Sequence, residues 1–236
     1  MVNAVIFDKD GTLIDFDAFW VAVSVSAIKG VLEELNALNV CVEEVLKMYG
    51  VEKGVTDPNG VLCKGTYEQM GEILHDVLFA HGYNFALEKV TDLLVNSYNK
   101  NSDAGEIKPT CEGLEEVLLS LKKRGIKLAV VTTDNKIITE KCLKKLGVFE
   151  LFDKIYTDDG KIPTKPNPCS IYDFIQTFGI KKESIVMVGD TLTDLEFAKN
   201  AGVSFVGVFK NNANRQILEP FADKLVDSLL KLESVI

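Results

Sequence analysis

The sequence predicts an α/β protein: a doubly wound parallel-sheet (Rossmann-like) core interrupted by an inserted all-helical subdomain. Three observations predict it. In the second half of the chain, short apolar runs rich in β-branched residues alternate with amphipathic stretches at helical spacing. Residues 16–105, by contrast, carry helical pattern almost throughout. Aspartate, threonine and lysine recur just where the apolar runs end, and open α/β sheets place their sites at the carboxyl ends of their strands.

The strands are "NAVIFD" (3–8), "KLAVVT" (127–132), "DKIYT" (153–157), "SIVMVG" (184–189) and "SFVGV" (204–208). Their hydrophobicity is near-continuous rather than alternating, which suits parallel strands covered on both faces. Helices are expected at 112–124, 136–146, 168–178 and 192–201, each followed by a stop glycine: Gly125, Gly147, Gly179 and Gly202. Within 16–105 the helical patterns run over 17–38, 41–49, 66–81 and 84–99, around a Gly/Pro-rich loop at 50–66. A strand-to-strand connection of that length is too long for a crossover, so 16–105 reads as an insertion. The polar stretch "NSDAGEIKP" (101–109) returns the chain to the core, which then comprises 1–15 and 106–236.

Composition narrows the function. At 236 residues with 47% hydrophobic and 26% charged side chains, the chain has ample material for a core plus one insertion. The net charge of −9 and the lack of a polybasic stripe argue against nucleic acid or an anionic membrane as partner. Cys41, Cys63, Cys111, Cys142 and Cys169 form no CxxC pair, and only His75 and His81 accompany them. That set points away from a thiolate or His-rich zinc site and toward a reducing compartment. The N-terminus enters an apolar strand directly, so a cytoplasmic protein is expected, as a monomer or homodimer.

The chemistry concentrates in "VIFDKDGTLID" (5–15), where Asp8 and Asp10 stand two positions apart at a strand end. Like charges repel there, and a hard cation held jointly by Asp8 and Asp190 answers the repulsion. Mg2+ prefers such a site: few carboxylates, several waters and substrate phosphate. Asp8 can then attack phosphorus as a nucleophile, and Asp10 is placed to protonate the leaving oxygen and later deprotonate water. Gly11 permits the tight turn. Thr132 and Lys165 offer a hydroxyl and an ammonium to phosphoryl oxygens. Asp194 reads as a group orienting metal waters or Lys165. Each has a plainer reading: a solvated Asp-Gly turn, a helix cap, a surface lysine. Their order on successive strand ends outweighs it.

The motifs "DKDGTL", "VVTTD", "KPNP" and "GDTLTD" resemble the four signatures of the haloacid dehalogenase-like superfamily, in the expected order. The resemblance covers 1–15 and about 106–210 and is nearest the phosphoglycolate phosphatase-like branch. That branch inserts a helical cap between the first and second motifs, matching 16–105. The resemblance implies Asp8 as nucleophile, Asp10 as general acid/base, and Thr132 and Lys165 as phosphate binders. It implies a Mg2+ site at Asp8, Asp190 and the Asp10 carbonyl, with Asp194 beside them, and small phosphorylated metabolites as substrates. Gly11 and Thr133 join the substrate-binding set, although Thr133 stands where that branch often has Asn. Phe16 likewise replaces a small polar residue.

Phe16, Asp17, Phe19 and Trp20 fall at helical spacing near the insertion's start, and such aromatics read first as packing. Lys53 and Lys64 read as solvated lysines, and Arg215 as a surface residue. Within the family, dehalogenation is disfavoured by Asp10, and phosphonate cleavage by the lack of a marked cap lysine. A sugar phosphomutase of the β-phosphoglucomutase type, a pyrophosphatase and a non-catalytic phosphometabolite-binding protein stay open as alternatives. The last is expected to have lost Asp8, Asp10 or Lys165, and all three are present.

Overall fold

A computed structural model describes residues 1–236, the side chain of Ala213 excepted. The chain divides into two compact units: Met1–Asp15 with Ile107–Ile236, and Phe16–Glu106. The first opens with β1 (Ala4–Phe7), four residues buried on both faces.

The second unit begins at a π-helical turn, Asp17–Val21, that runs into α1 (Ala22–Glu34). It continues through α2 (Val42–Met48), β2 (Val51–Glu52), β3 (Val55–Thr56), α3 (Val61–Lys64), α4 (Tyr67–Ala80) and α5 (Leu87–Lys100). Two expectations need correction. The helix expected over 17–38 ends at Glu34, because Asn36 takes a left-handed conformation, φ +54°, that a helix cannot continue through. The 50–66 segment is not plain loop. Lys53 and Gly54 both adopt positive φ, the conformation a tight hairpin turn demands, and Val51 pairs with Thr56 antiparallel across it. Asp17 holds this hairpin, its Oδ1 accepting from the Thr56 amide at 3.1 Å and hydroxyl at 2.7 Å. The aromatics of 16–20 pack within the same unit: Phe19 is buried, and its ring meets Trp20 edge-on at 5.1 Å. Trp20 in turn lies 6.4 Å from Tyr98.

The rest of the first unit follows in β–α alternation: α6 (Leu114–Lys123), β4 (Lys127–Val131), α7 (Lys136–Lys145), β5 (Lys154–Tyr156) and α8 (Cys169–Phe178). Then come β6 (Ile185–Gly189), α9 (Leu192–Ala201), β7 (Ser204–Val208), α10 (Asn212–Leu218) and β8 (Lys224–Val226). The six core strands form one parallel sheet in the order β5-β4-β1-β6-β7-β8. Ile6, Ala129 and Met187 anchor a buried cluster with Ile171, Phe174 and Phe197 of the covering helices. Phe7 lies in register with Val130 of β4 and Val188 of β6, so these three strands end side by side. The chain winds outward from β1 to β5 and then returns to β6 on the other side of β1. The strand order therefore reverses between β1 and β6, the position where open α/β sheets bind ligands. Among the described residues, no helix is long and apolar enough to cross a membrane.

Candidate active site

Asp8 follows β1 directly and Asp190 follows β6, so the two carboxylates flank the strand-order reversal. Gly11 makes their approach possible. Its φ of +81° is left-handed, and a Cβ there would stand 2.2 Å from Oδ2 of Asp190. The turn is closed by the Gly11 amide donating to the Ile14 carbonyl at 2.8 Å. Thr12, fully buried, donates its hydroxyl to Oδ1 of Asp190 at 3.2 Å.

Asp194 comes to the same place through helix capping. Thr191 is the N-cap of α9, and Asp194 occupies the third helical position. Oδ2 of Asp194 accepts from the Thr191 amide at 3.1 Å and from its hydroxyl at 2.6 Å, satisfying donors a helix start leaves unpaired. That reciprocal cap leaves Oδ1 turned to Lys165, whose ammonium donates to it at 2.7 Å and to Oδ1 of Asp8 at 2.5 Å. Asp8, Asp190 and Asp194 thus bring one carboxylate oxygen each within 4.8 Å of one another. Three carboxylates face one ammonium, leaving an excess of negative charge.

The electrostatic consequences follow. Burial raises the Asp8 carboxyl to about 7, with Lys165 pulling it down and Asp194 and Asp10 pushing it up. Burial and the charges of Asp8 and Asp194 hold Asp190 well above the usual carboxylate range. Burial alone would lower Lys165, but Asp194 and Asp8 carry it above an ordinary lysine, so it stays charged. A divalent cation suits this donor set, because it removes the crowding that the protein's own single lysine does not.

The other expected residues distribute unevenly. Thr132 is buried after β4, and its Oγ1 accepts from the Asp134 amide at 3.1 Å, while Thr133 is exposed. Asp10 lies beside the cluster, not within it. Its carboxylate pairs with Lys9, whose Nζ lies 2.8 Å from each of its oxygens. Lys53 and Lys64 are exposed, as is Arg215, which pairs with Glu219 at 2.9 Å. Sequence reasoning missed Lys9, Thr12, Asp134 and Thr191. The signal for Thr191 was present, since Thr-x-x-Asp before a helix is a capping pattern. Lys9 stands between two aspartates at a strand end, where a solvated lysine is the ordinary reading, so the sequence carried no signal for its burial. Next to Thr132, a cavity of about 250 Å³ opens among Tyr156, Ile162, Pro163 and Thr164.

A family profile described as haloacid dehalogenase-like hydrolase matches residues 2–202, most of the chain. The chain belongs to the haloacid dehalogenase-like hydrolases. It is an enzyme of the phosphatase-type hydrolases within that family. It is 31% identical over 209 residues to phosphoglycolate phosphatase of Neisseria meningitidis serogroup A, covering 88% of this chain and 80% of that protein. To pyrophosphatase PpaX of Bacillus cereus it is 28% identical over 234 residues, covering 98% and 94%. Its fold is similar to the crystal structure of a predicted phosphoglycolate phosphatase from Haemophilus somnus 129pt. The TM-score there is 0.74 at 20% identity, over 99% of this chain and 97% of that one.

Proposed function

We propose that this haloacid dehalogenase-like protein is a Mg2+-dependent phosphatase acting on a small phosphorylated metabolite through an aspartyl-phosphate on Asp8. The observation that carries the reading is the buried ammonium of Lys165, fixed at Asp8 and Asp194 beside Asp190. A fixed cation at a strand-end carboxylate is what a nucleophile needs if it is to approach an anionic phosphoryl group.

Asp8, Asp190 and the Asp10 main-chain carbonyl would hold Mg2+. Asp194, committed through both oxygens to Lys165 and Thr191, supports them. Bound there, the cation offsets the carboxylate charge and draws charge from the phosphoryl oxygens. Lys165 engages Asp8 through Oδ1, which leaves Oδ2 for attack. In the first step Asp8 Oδ2 bonds to phosphorus as the bond to the leaving oxygen breaks, and the Asp10 carboxyl gives that oxygen its proton. In the second step water attacks phosphorus, Asp10 takes a proton from it, and phosphate leaves with the Asp8 carboxylate restored. Lys165 and the Thr132 hydroxyl hold the phosphoryl oxygens through both steps, with Thr133 and the Gly11 turn completing that set.

Phosphoglycolate and pyrophosphate, the substrates in the names of the two relatives, are the first to test. The pyrophosphatase alternative is favoured by the near-complete alignment with PpaX. A screen of phosphoglycolate, pyrophosphate, hexose phosphates and nucleotides, with and without chelator, decides among them. Mg2+-dependent phosphate release from one of them is expected. Release indifferent to chelator would remove the metal, and an isomeric sugar phosphate as product would make the protein a mutase.

A further inference from the structure

Lys9 is one of the largest fully buried side chains in the protein, and it is a cation. It stands between the two aspartates of the first motif, yet its ammonium contacts Asp10 at 2.8 Å and Oδ2 of Asp134 at 3.0 Å. Asp134 is itself fixed. Its amide donates to Thr132 Oγ1 at 3.1 Å, and its Oδ1 accepts from the Asn135 amide at 2.7 Å. Asn135 caps α7 in turn, accepting from the Ile138 amide at 3.0 Å. A continuous polar chain therefore runs from the start of a helix, through Asp134 and Lys9, to the Asp10 carboxylate.

Stability gives this arrangement little reason to exist. Withdrawing an ammonium and two carboxylates from water costs several kcal/mol per ion, and apolar replacements of such groups are often neutral or stabilising. What a buried ion pair does supply is direction. Asp10 is short and stands next to a turn, so its carboxyl orientation depends on a partner, and Lys9 meets both of its oxygens. Proton transfer to a leaving oxygen is sensitive to such placement.

We propose that Lys9, anchored by Asp134, is a positioning residue that fixes the Asp10 carboxyl for proton transfer to the leaving group. The proposal rests on the phosphatase reading above and adds a residue to it. It makes a claim a merely structural role does not. Losing Lys9 should cost most where the leaving group most needs a proton. p-Nitrophenolate leaves with little help, whereas phenolate needs protonation.

The test measures kcat/KM, which reports the chemistry up to leaving-group departure, for p-nitrophenyl phosphate and phenyl phosphate with Mg2+ present. Lys9→Met is compared with wild type and with Lys9→Met/Asp134→Asn, in which Asp134 no longer leaves a buried charge facing the lost ammonium. General acid catalysis contributes about 10²-fold or more, so a loss of about 30-fold or more is expected for phenyl phosphate. For p-nitrophenyl phosphate the loss should stay below about 3-fold, and the double variant should show the same split. Equal losses on both esters, or no loss on either, overturn the proposal. So does failure of both variants to fold, which would make Lys9 a structural residue. Wild-type protein inert toward both esters would instead refute the phosphatase reading on which the proposal stands.

Discussion

Replacing Asp190 by asparagine should stabilise the cation-free protein while removing its activity. Asp190 brings a carboxylate oxygen within 4.8 Å of both Asp8 and Asp194, and Lys165 compensates only one of those two neighbouring charges. At an effective dielectric of about 20, one uncompensated like charge at that distance costs roughly 3.5 kcal/mol. Asp190 is partly exposed and escapes part of the cost by holding its proton, so a gain of about 2 kcal/mol is the reasonable expectation. Asparagine keeps an oxygen to accept from Thr12, so that hydrogen bond survives. For a chain of this size the gain corresponds to a rise in Tm of about 4–8 °C. The assay is a thermal melt at pH 8 in EDTA, repeated in Mg2+. In Mg2+ the wild type should recover about 2.7 kcal/mol at a concentration 100-fold above its Kd, and the variant little, so the order of stabilities closes or reverses. An Asp190→Asn variant no more stable than wild type in EDTA would refute the crowding on which the cation site is argued.

The same charges set the pH dependence. Asp8 and Asp190 have carboxyls raised in the folded state, Asp8 from 3.8 to about 7. The native protein thus holds protons that the unfolded chain has released. Stability without metal should therefore fall as pH rises from about 4 to 7, opposite to the usual carboxylate behaviour, and denaturant melts across that range in EDTA would show it. Lys165→Met should lower kcat by about 10²–10³-fold or more, since a charged donor at the phosphoryl oxygens is lost. Steady-state kinetics with saturating substrate checks this. Gly11→Ala forces a left-handed Cβ against Asp190, so about 1–2 kcal/mol of stability should be lost together with Mg2+ affinity. Calorimetric Mg2+ titration beside a melt separates the two. Thr191→Ala removes the hydroxyl that accepts from the Asp194 amide and donates to its Oδ2, leaving only the Thr191 amide on that oxygen. It should cost about 1 kcal/mol and reduce turnover.

Much of this was legible in the sequence, for identifiable reasons. β1, β4, β6 and β7 are short apolar runs covered on both faces, and such runs announce themselves without any partner. β8 did not. "KLV" is three residues long with charged neighbours, too short for periodicity to register, and only pairing with β7 makes it a strand. The Lys53–Gly54 hairpin was hidden because a non-glycine residue takes the first left-handed position. In the site, Asp8 and Asp190 stood out because charge collects where strands end, and Lys165 and Asp194 through the motifs "KPNP" and "GDTLTD" that carry them. Lys9 and Asp134 did not, because a buried ion pair is visible only once two distant segments meet across β1 and β4.

The most direct test of the central claim is to trap the covalent intermediate. Protein mixed with Mg2+ and a turned-over phosphate ester is quenched in acid within one turnover, digested, and mapped by mass spectrometry. One phosphoryl group, labile to hydroxylamine, is expected on the peptide carrying Asp8, and none in Asp8→Asn. Phosphoryl on another residue, or full Mg2+-dependent turnover by Asp8→Asn, would contradict it.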